Sequence, residues 1–185
     1  MLEEVLDTAK DHMMKTMESL HRDLAGIRTG KANSALLDSI KVDYFGQMVP
    51  LKQVASIAVP DPKLITIQPW DKNVVSEIEK AIQKSELGLN PQSDGTLIRL
   101  PIPVLTEERR KDLVKVVKRM GEETKVAVRN IRRDANDRIK KLEKTHEIGE
   151  DHMHTKQEEI QTLTNDYIKK VDESIAAKEK EILEI

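Results

Sequence analysis

Lys111, Lys118, Lys125 and Arg132 stand seven residues apart, and Arg129, Arg133 and Lys140 lie close to the same line. At about 100° per residue such a row runs along one side of an α-helix, here roughly opposite Ile131. The chemistry these side chains offer is phosphate binding: arginine presents a planar fork that an anionic oxygen pair can fill, and lysine a compact point charge. The stretch that carries them, residues 106–144, holds fourteen lysines and arginines against eight acidic residues, a net of +6 in a chain whose formal charge is −2. A charged helix is most simply a solvated face. Concentration of the cations on one helix of an otherwise acidic protein, with Arg129, Arg132 and Arg133 gathered together, argues for a binding surface. Aromatic residues make up only 2% of the chain, so little is available to stack on bases. Contact with the backbone of structured RNA therefore suits the row better than base-specific recognition. A helical adaptor or chaperone-like module whose basic face takes an acidic protein partner fits the same pattern.

Other candidate chemistry is weaker. Gly26-Ile27-Arg28-Thr29-Gly30-Lys31-Ala32 resembles a phosphate-binding loop. Its glycines are one residue too close, Ala32 stands where a hydroxyl is required, and a helix precedes it instead of a strand. His146, His152 and His154 cluster near Glu150 and Asp151, but residues two apart do not share a helix face and no pair has ligand spacing. Serines and carboxylates are scattered without a companion base, so neither nucleophilic nor paired-acid catalysis is indicated. With no cysteine there is no disulfide or thiolate chemistry. The expectation is a non-enzyme without metal or cofactor.

Elements able to hold the basic row follow from periodicity. Within residues 106–144, Leu113, Val117, Met120, Thr124, Ala127 (with Val128), Ile131, Ala135, Ile139 and Leu142 recur at three- and four-residue steps, one stripe on a long helix. Thr106 is placed to cap it, and Glu107 and Glu108 complement the dipole of its first turn. Gly121 inside it is expected to cost about 1 kcal/mol relative to alanine. Residues 2–28 repeat the pattern through Leu2, Leu6, Ala9, Met13, Met17, Leu20, Leu24 and Ile27, with Gly30 placed to stop the helix. A third helix follows Gly149, with Ile160, Leu163, Tyr167, Val171, Ile175 and Ile182 on one side. Its stretch, 145–185, holds five basic and eleven acidic residues, so its flanks can pair with the basic helix.

Between the first two helices the character changes. Residues 41–44 and 47–50 flank Phe45-Gly46, a hairpin signal. Residues 53–59 and 64–68 read as further strands about a Pro60-Asp61-Pro62-Lys63 turn, Asp71 caps a helix over 72–85, and 96–100 offers a last strand. Residues 31–105 hold eight basic and eight acidic residues. The fold class is α+β with two domains: residues 1–30 plus 105–185 form an antiparallel three-helix bundle, and 31–104 an inserted β/α/β unit. Two chain segments cross the junction, so Thr29, Gly30, Pro101, Ile102, Pro103 and Val104 are the expected hinge. The N-terminal stretch is acidic and polar at helical spacing, unlike a signal peptide, and no run reaches the ~20 apolar residues of a membrane span. A soluble, cytoplasmic monomer with no membrane partner is expected.

Four stretches go further than pattern: residues 27–33 (IRTGKAN), 87–91 (LGLNP), 105–113 (LTEERRKDL) and 126–135 (VAVRNIRRDA). Together, and in this order, they resemble the signature stretches of the ribosome recycling factor family, over the whole length of the chain. Lys31 stands where that family usually has arginine, Phe45 where tyrosine is common, and Gly149 where a serine often caps the last helix. The resemblance implies an L-shaped protein acting after translation termination. With the GTPase elongation factor G it would split the spent ribosome into subunits, releasing mRNA and tRNA, and initiation factor 3 would follow. It further implies that the bundle lies on large-subunit rRNA near the peptidyl-transferase centre and the inter-subunit bridges, while the GTPase pushes the inserted domain. Matching motifs make Arg28, Lys31, Arg110, Arg129, Arg132 and Arg133 the expected RNA contacts, and the heptad row adds Lys118 and Lys125.

Overall fold

A computed structural model describes residues 1–184. The chain separates into two compact units, residues 1–24 with 111–184 and residues 25–110. The second is six residues wider on each side than the 31–104 read from the sequence, because the flanks are packed into it: Thr29 and Leu105 are buried, and Arg28 donates to the Leu87 carbonyl.

The helical unit is built from α1 (Leu2–Ala25), α3 (Glu107–Lys144) and α4 (Glu150–Leu183), with α2 (Val75–Lys84) belonging to the other unit. α1 buries Ala9, Met13, Met17, Leu20 and Leu24, the expected stripe. It ends at Ala25, not at Gly30: Gly26 follows at once, where helix propensity collapses. Gly30 does take a left-handed φ of +82°, which a side chain would resist, but it shapes the connecting segment instead of the helix terminus. Thr106 caps α3 as expected, its Oγ1 accepting from the Arg109 N–H at 3.2 Å. α3 closes with His146 in the left-handed region (φ 60°), where the His146 and Glu147 N–H groups return to the carbonyls of Glu143 and Leu142. That is a Schellman closure made by histidine in the place glycine usually fills. Gly149 is then the N-cap of α4 in extended conformation, a start signal more than a breaker.

The sheet unit starts with the hairpin of β1 (Lys41–Tyr44) and β2 (Gln47–Pro50), in register from Lys41 opposite Pro50 to Tyr44 opposite Gln47. Phe45 (φ 50°) and Gly46 (φ 86°) form its two-residue turn, the all-positive-φ geometry that matches strand twist. A second, four-stranded antiparallel sheet runs in the order β3 (Ala55–Asp61), β4 (Leu64–Pro69), β6 (Ile98–Pro101), β5 (Gln92–Ser93). The β3–β4 ladder continues to Asp61 opposite Leu64, so the turn is only Pro62-Lys63; an irregularity between Ala58 and Asp61 accommodates Pro60, which has no N–H to give. α2 (Val75–Lys84) follows a single 3₁₀ turn whose cap is Asp71, accepting from the Asn73 N–H at 2.9 Å. Ile65, Ile67, Ile98 and Leu100 alternate with exposed or half-buried neighbours and meet Val75, Ile78 and Ile82 of α2 in one core.

β6 begins two residues later than the sequence suggests because Asp94 holds the preceding turn. Its carboxylate accepts from the N–H groups of Leu97 and Thr96 and the Thr96 hydroxyl, which keep it well below the usual carboxylate range. A depressed carboxylate contributes stability above its unfolded value near 4 that is lost as pH falls through and below that value. Denaturant unfolding between pH of about 5 and 2 is accordingly expected to show a steeper loss for the wild-type chain than for Asp94→Ala.

Candidate nucleic-acid interface

The buried line of α3 runs through Val117, Gly121, Val128, Ala135 and Ile139; Val117, Ala135 and Ile139 belong to the apolar stripe read from the sequence, while its other members along the Ile131 line lie about 60° to one side. Both lines are real, because α3 has two neighbours. Met120, Thr124, Ala127 and Ile131 line grooves against α1. Gly121 faces α4, where a Cβ would meet Ile175 Cγ1 at 2.7 Å. On the α4 flank, Gly121, Lys125 and Arg132 add no hydrophobic signal to that of Val117 and Val128. The helix-propensity cost expected at Gly121 is therefore set against close packing, since α3 and α4 approach here too closely for a Cβ unless Ile175 shifts.

This rotation splits the heptad row. Seven residues fall about 20° short of two turns in a straight helix, so the row winds towards α4 as it descends. Lys111 and Lys118 stay on the exposed face. Lys125 has only 16% of its side chain exposed and its Nζ lies 2.7 Å from Glu122 and 3.0 Å from Asp172 of α4. Hydrogen bonds donated to Glu122 and then to Asp172 hold its ammonium above the ordinary lysine pKa. Its charge is paired with carboxylates of α3 and α4 at the edge of the bundle. Arg132, half-buried, donates from Nη1 to Gln161 Oε1 of α4 at 3.2 Å.

The outward face of α3 that remains is more cationic than the row alone implied. Lys115, Arg133, Lys140 and Lys144 are exposed there, with Arg129 half-buried. By helical rotation they join Lys111 and Lys118 within about 40° on either side of one line. Glu122 and Val126 interrupt that line and leave two cationic patches, Lys111-Lys115-Lys118 and Arg129-Arg133-Lys140, roughly 16 Å apart along the axis. A four-residue continuation of the periodic reading to Lys115 and Lys144 would have found them. Arg133 donates to Asn130 at 3.3 Å, a neutral partner that leaves its charge available. α1 and α4 carry the excess of acidic residues, so the unit presents one positive side.

The remaining candidates sit elsewhere. Arg110 is half-buried and its Nε is buried without a hydrogen-bond partner. In the sheet unit, Arg28 donates to the Leu87 carbonyl at 3.4 Å and Lys31 is exposed. Thr29 and Ile102 are buried, the Ile102 N–H bonds the Lys63 carbonyl at 2.8 Å, and Pro101 pairs with Leu64 at the end of β6. Pro103 and Val104 are exposed and outside helix and strand. Among the described residues no group of three or more His, Asp or Glu could hold a metal ion, and no helix is long and apolar enough to cross a membrane.

Comparison with known proteins agrees with this geometry. The sequence model of the family described as ribosome recycling factor matches residues 20–183. The chain is 55% identical to the ribosome-recycling factor of Nitratidesulfovibrio vulgaris (strain DP4) over 184 residues, covering 100% of this chain and 99% of that protein. It is 53% identical to that of Bacillus pumilus (strain SAFR-032), with both chains fully covered. Its fold is similar to the solution structure of a ribosome recycling factor, with a TM-score of 0.82 at 43% identity over 100% of this chain and 98% of the other. It is also similar to the T. thermophilus ribosome recycling factor in models of that factor and the E. coli elongation factor G bound to the E. coli post-termination complex, with a TM-score of 0.69 at 48% identity over the full length of both chains. A cationic helix face on an α-helical bundle, an inserted antiparallel sheet unit and full-length identity above one half together show that the chain belongs to the ribosome recycling factor family.

Proposed function

We propose that this chain recycles ribosomes: it binds the post-termination ribosome and, together with elongation factor G, promotes its dissociation into subunits with release of mRNA and tRNA. The observation that carries the reading is the outward cationic face of α3, in a chain 48% identical over its length to a factor described with elongation factor G on a post-termination complex. Such a face neutralises phosphates and releases their counterions, so binding falls steeply with salt. The bundle lies along large-subunit rRNA near the peptidyl-transferase centre and the inter-subunit bridges. Arg129, Arg132, Arg133 and Lys118 are its proposed contacts, joined by Arg28, Lys31 and Arg110. Lys125 contributes by holding α4 against α3. The protein works in the cytoplasm as a monomer and has no catalytic centre or cofactor of its own. The free energy comes from the partner GTPase, which acts on the inserted sheet unit, and initiation factor 3 follows. Motion is taken up at the two chain crossings, at Thr29-Gly30 and at Pro101-Ile102-Pro103-Val104.

Sedimentation with ribosomes at low and high salt tests the contact, and subunit splitting with and without the GTPase tests the activity. Arg132→Ala is expected to weaken binding to large subunits by about 1–2 kcal/mol, the loss of a charged hydrogen bond, with little change in melting temperature. Unchanged binding with a lowered melting temperature would make the side chain structural. An adaptor that uses the same face for an acidic protein would show no splitting activity at all.

A further inference from the structure

Lys125 and Arg132 are successive members of one heptad row, and both reach α4, yet α4 meets them with different chemistry. Lys125 is clamped between two carboxylates, Glu122 on its own helix and Asp172 opposite. Arg132 meets an amide. Gln161 Oε1 accepts from its guanidinium at 3.2 Å, and Gln161 Nε2 in turn donates to Asn165 Oδ1 at 2.8 Å, one turn further along α4. Because a guanidinium can only donate, the amide turns its oxygen towards Arg132, which leaves the Gln161 nitrogen to donate to Asn165. Within Glu150–Leu183, α4 has nine carboxylates, so an acidic residue at position 161 would suit the helix composition. Instead, the two positions that support Arg132 are uncharged, and among the described residues Arg132 forms no ion pair.

An amide and a carboxylate can both orient a guanidinium, but only the carboxylate cancels its charge. We infer that Gln161, held by Asn165, is a positioning residue of the RNA interface: it fixes the direction of the Arg132 guanidinium while leaving its full charge for a phosphate. The inference rests on α3 being the RNA-contacting face. It places part of the interface on the acidic helix and divides the heptad row into one cation used for packing and one reserved for the ligand. A glutamate at 161 would act against binding twice, by pairing with Arg132 and by repelling the incoming phosphate.

The experiment uses the full-length chain and isolated large ribosomal subunits across a salt series. Gln161→Glu is expected to keep or raise the melting temperature, because it adds an exposed ion pair, while weakening binding about two- to fivefold at low salt. The slope of log affinity against log salt is expected to flatten by about one, the change that accompanies one fewer neutralised phosphate. Gln161→Met, which removes the acceptor without adding charge, should weaken binding less and leave the slope unchanged. If Arg132→Ala weakens binding but Gln161→Glu changes neither affinity nor slope, the positioning role is wrong and the reading of the α3 face stands. If Arg132→Ala itself leaves binding unchanged, the contact at Arg132 and the role of Gln161 fall together.

Discussion

A protein made by joining residues 1–25 to 107–184 through a short flexible linker is expected to fold as a helical bundle, bind large ribosomal subunits, and fail to split post-termination ribosomes with elongation factor G. All three long helices and both cationic patches of α3 lie in those residues. The helical unit has its own buried line from Ala9 and Met13 through Val128 and Ile139 to Val171 and Ile182, while Ile65, Ile67, Ile78 and Ile98 fill a separate core. Each core can therefore form without the other. The removed segment is close to electrically neutral, so its loss subtracts little from attraction to RNA. It is the part on which the GTPase is proposed to act, so activity should vanish while affinity is nearly kept. Circular dichroism, salt-dependent sedimentation and a splitting assay on one sample separate these outcomes. Splitting by the truncated protein would end the proposed division of labour.

The second large effect is at Gly121. Replacing glycine by alanine inside an exposed helix gains about 1 kcal/mol. Here the new Cβ would sit 2.7 Å from Ile175 Cγ1 and 3.1 Å from its Cδ1, and overpacking of that kind costs about 1–3 kcal/mol. Gly121→Ala is expected to be destabilising on balance by about 1 kcal/mol, against its helix propensity, and Gly121→Val by about 3 kcal/mol. Ile175→Ala removes the atoms in the way. In a double-mutant cycle Gly121→Ala should then be less costly, or favourable, with a coupling of about 1–3 kcal/mol. Equal effects of Gly121→Ala in both backgrounds would show that α3 and α4 can separate to admit a methyl group. Lys125→Met offers a contrast: it removes the ammonium from both Glu122 and Asp172, whose carboxylates are largely exposed, and a pair with an exposed partner is worth about 1 kcal/mol or less.

The features legible in the sequence had a short period or a local chemical cause. The stripe from Leu2 to Leu24 and the one from Ile160 to Ile182 repeat at 3.6 residues, and Phe45-Gly46 can turn a hairpin because both residues reach positive φ. Thr106 and Asp71 cap the helical turns after them through their own oxygens. The family was carried by stretches such as residues 87–91 and 126–135, whose residue types and order are specific without any knowledge of their neighbours. Other features depended on which surfaces meet. The end of α1 at Ala25, the two-residue strand Gln92–Ser93 and the late start of β6 behind Asp94 depend on packing and ladder partners distant in the chain. The division of the basic row is the clearest case. Lysine has the same letter whether it is solvated at 118 or clamped at 125, and arginine the same letter whether an amide or a carboxylate faces it. Only the placement of α4 against one flank of α3, reached by the row through a drift of about 20° per heptad, decides which cations hold the bundle together and which remain for phosphate.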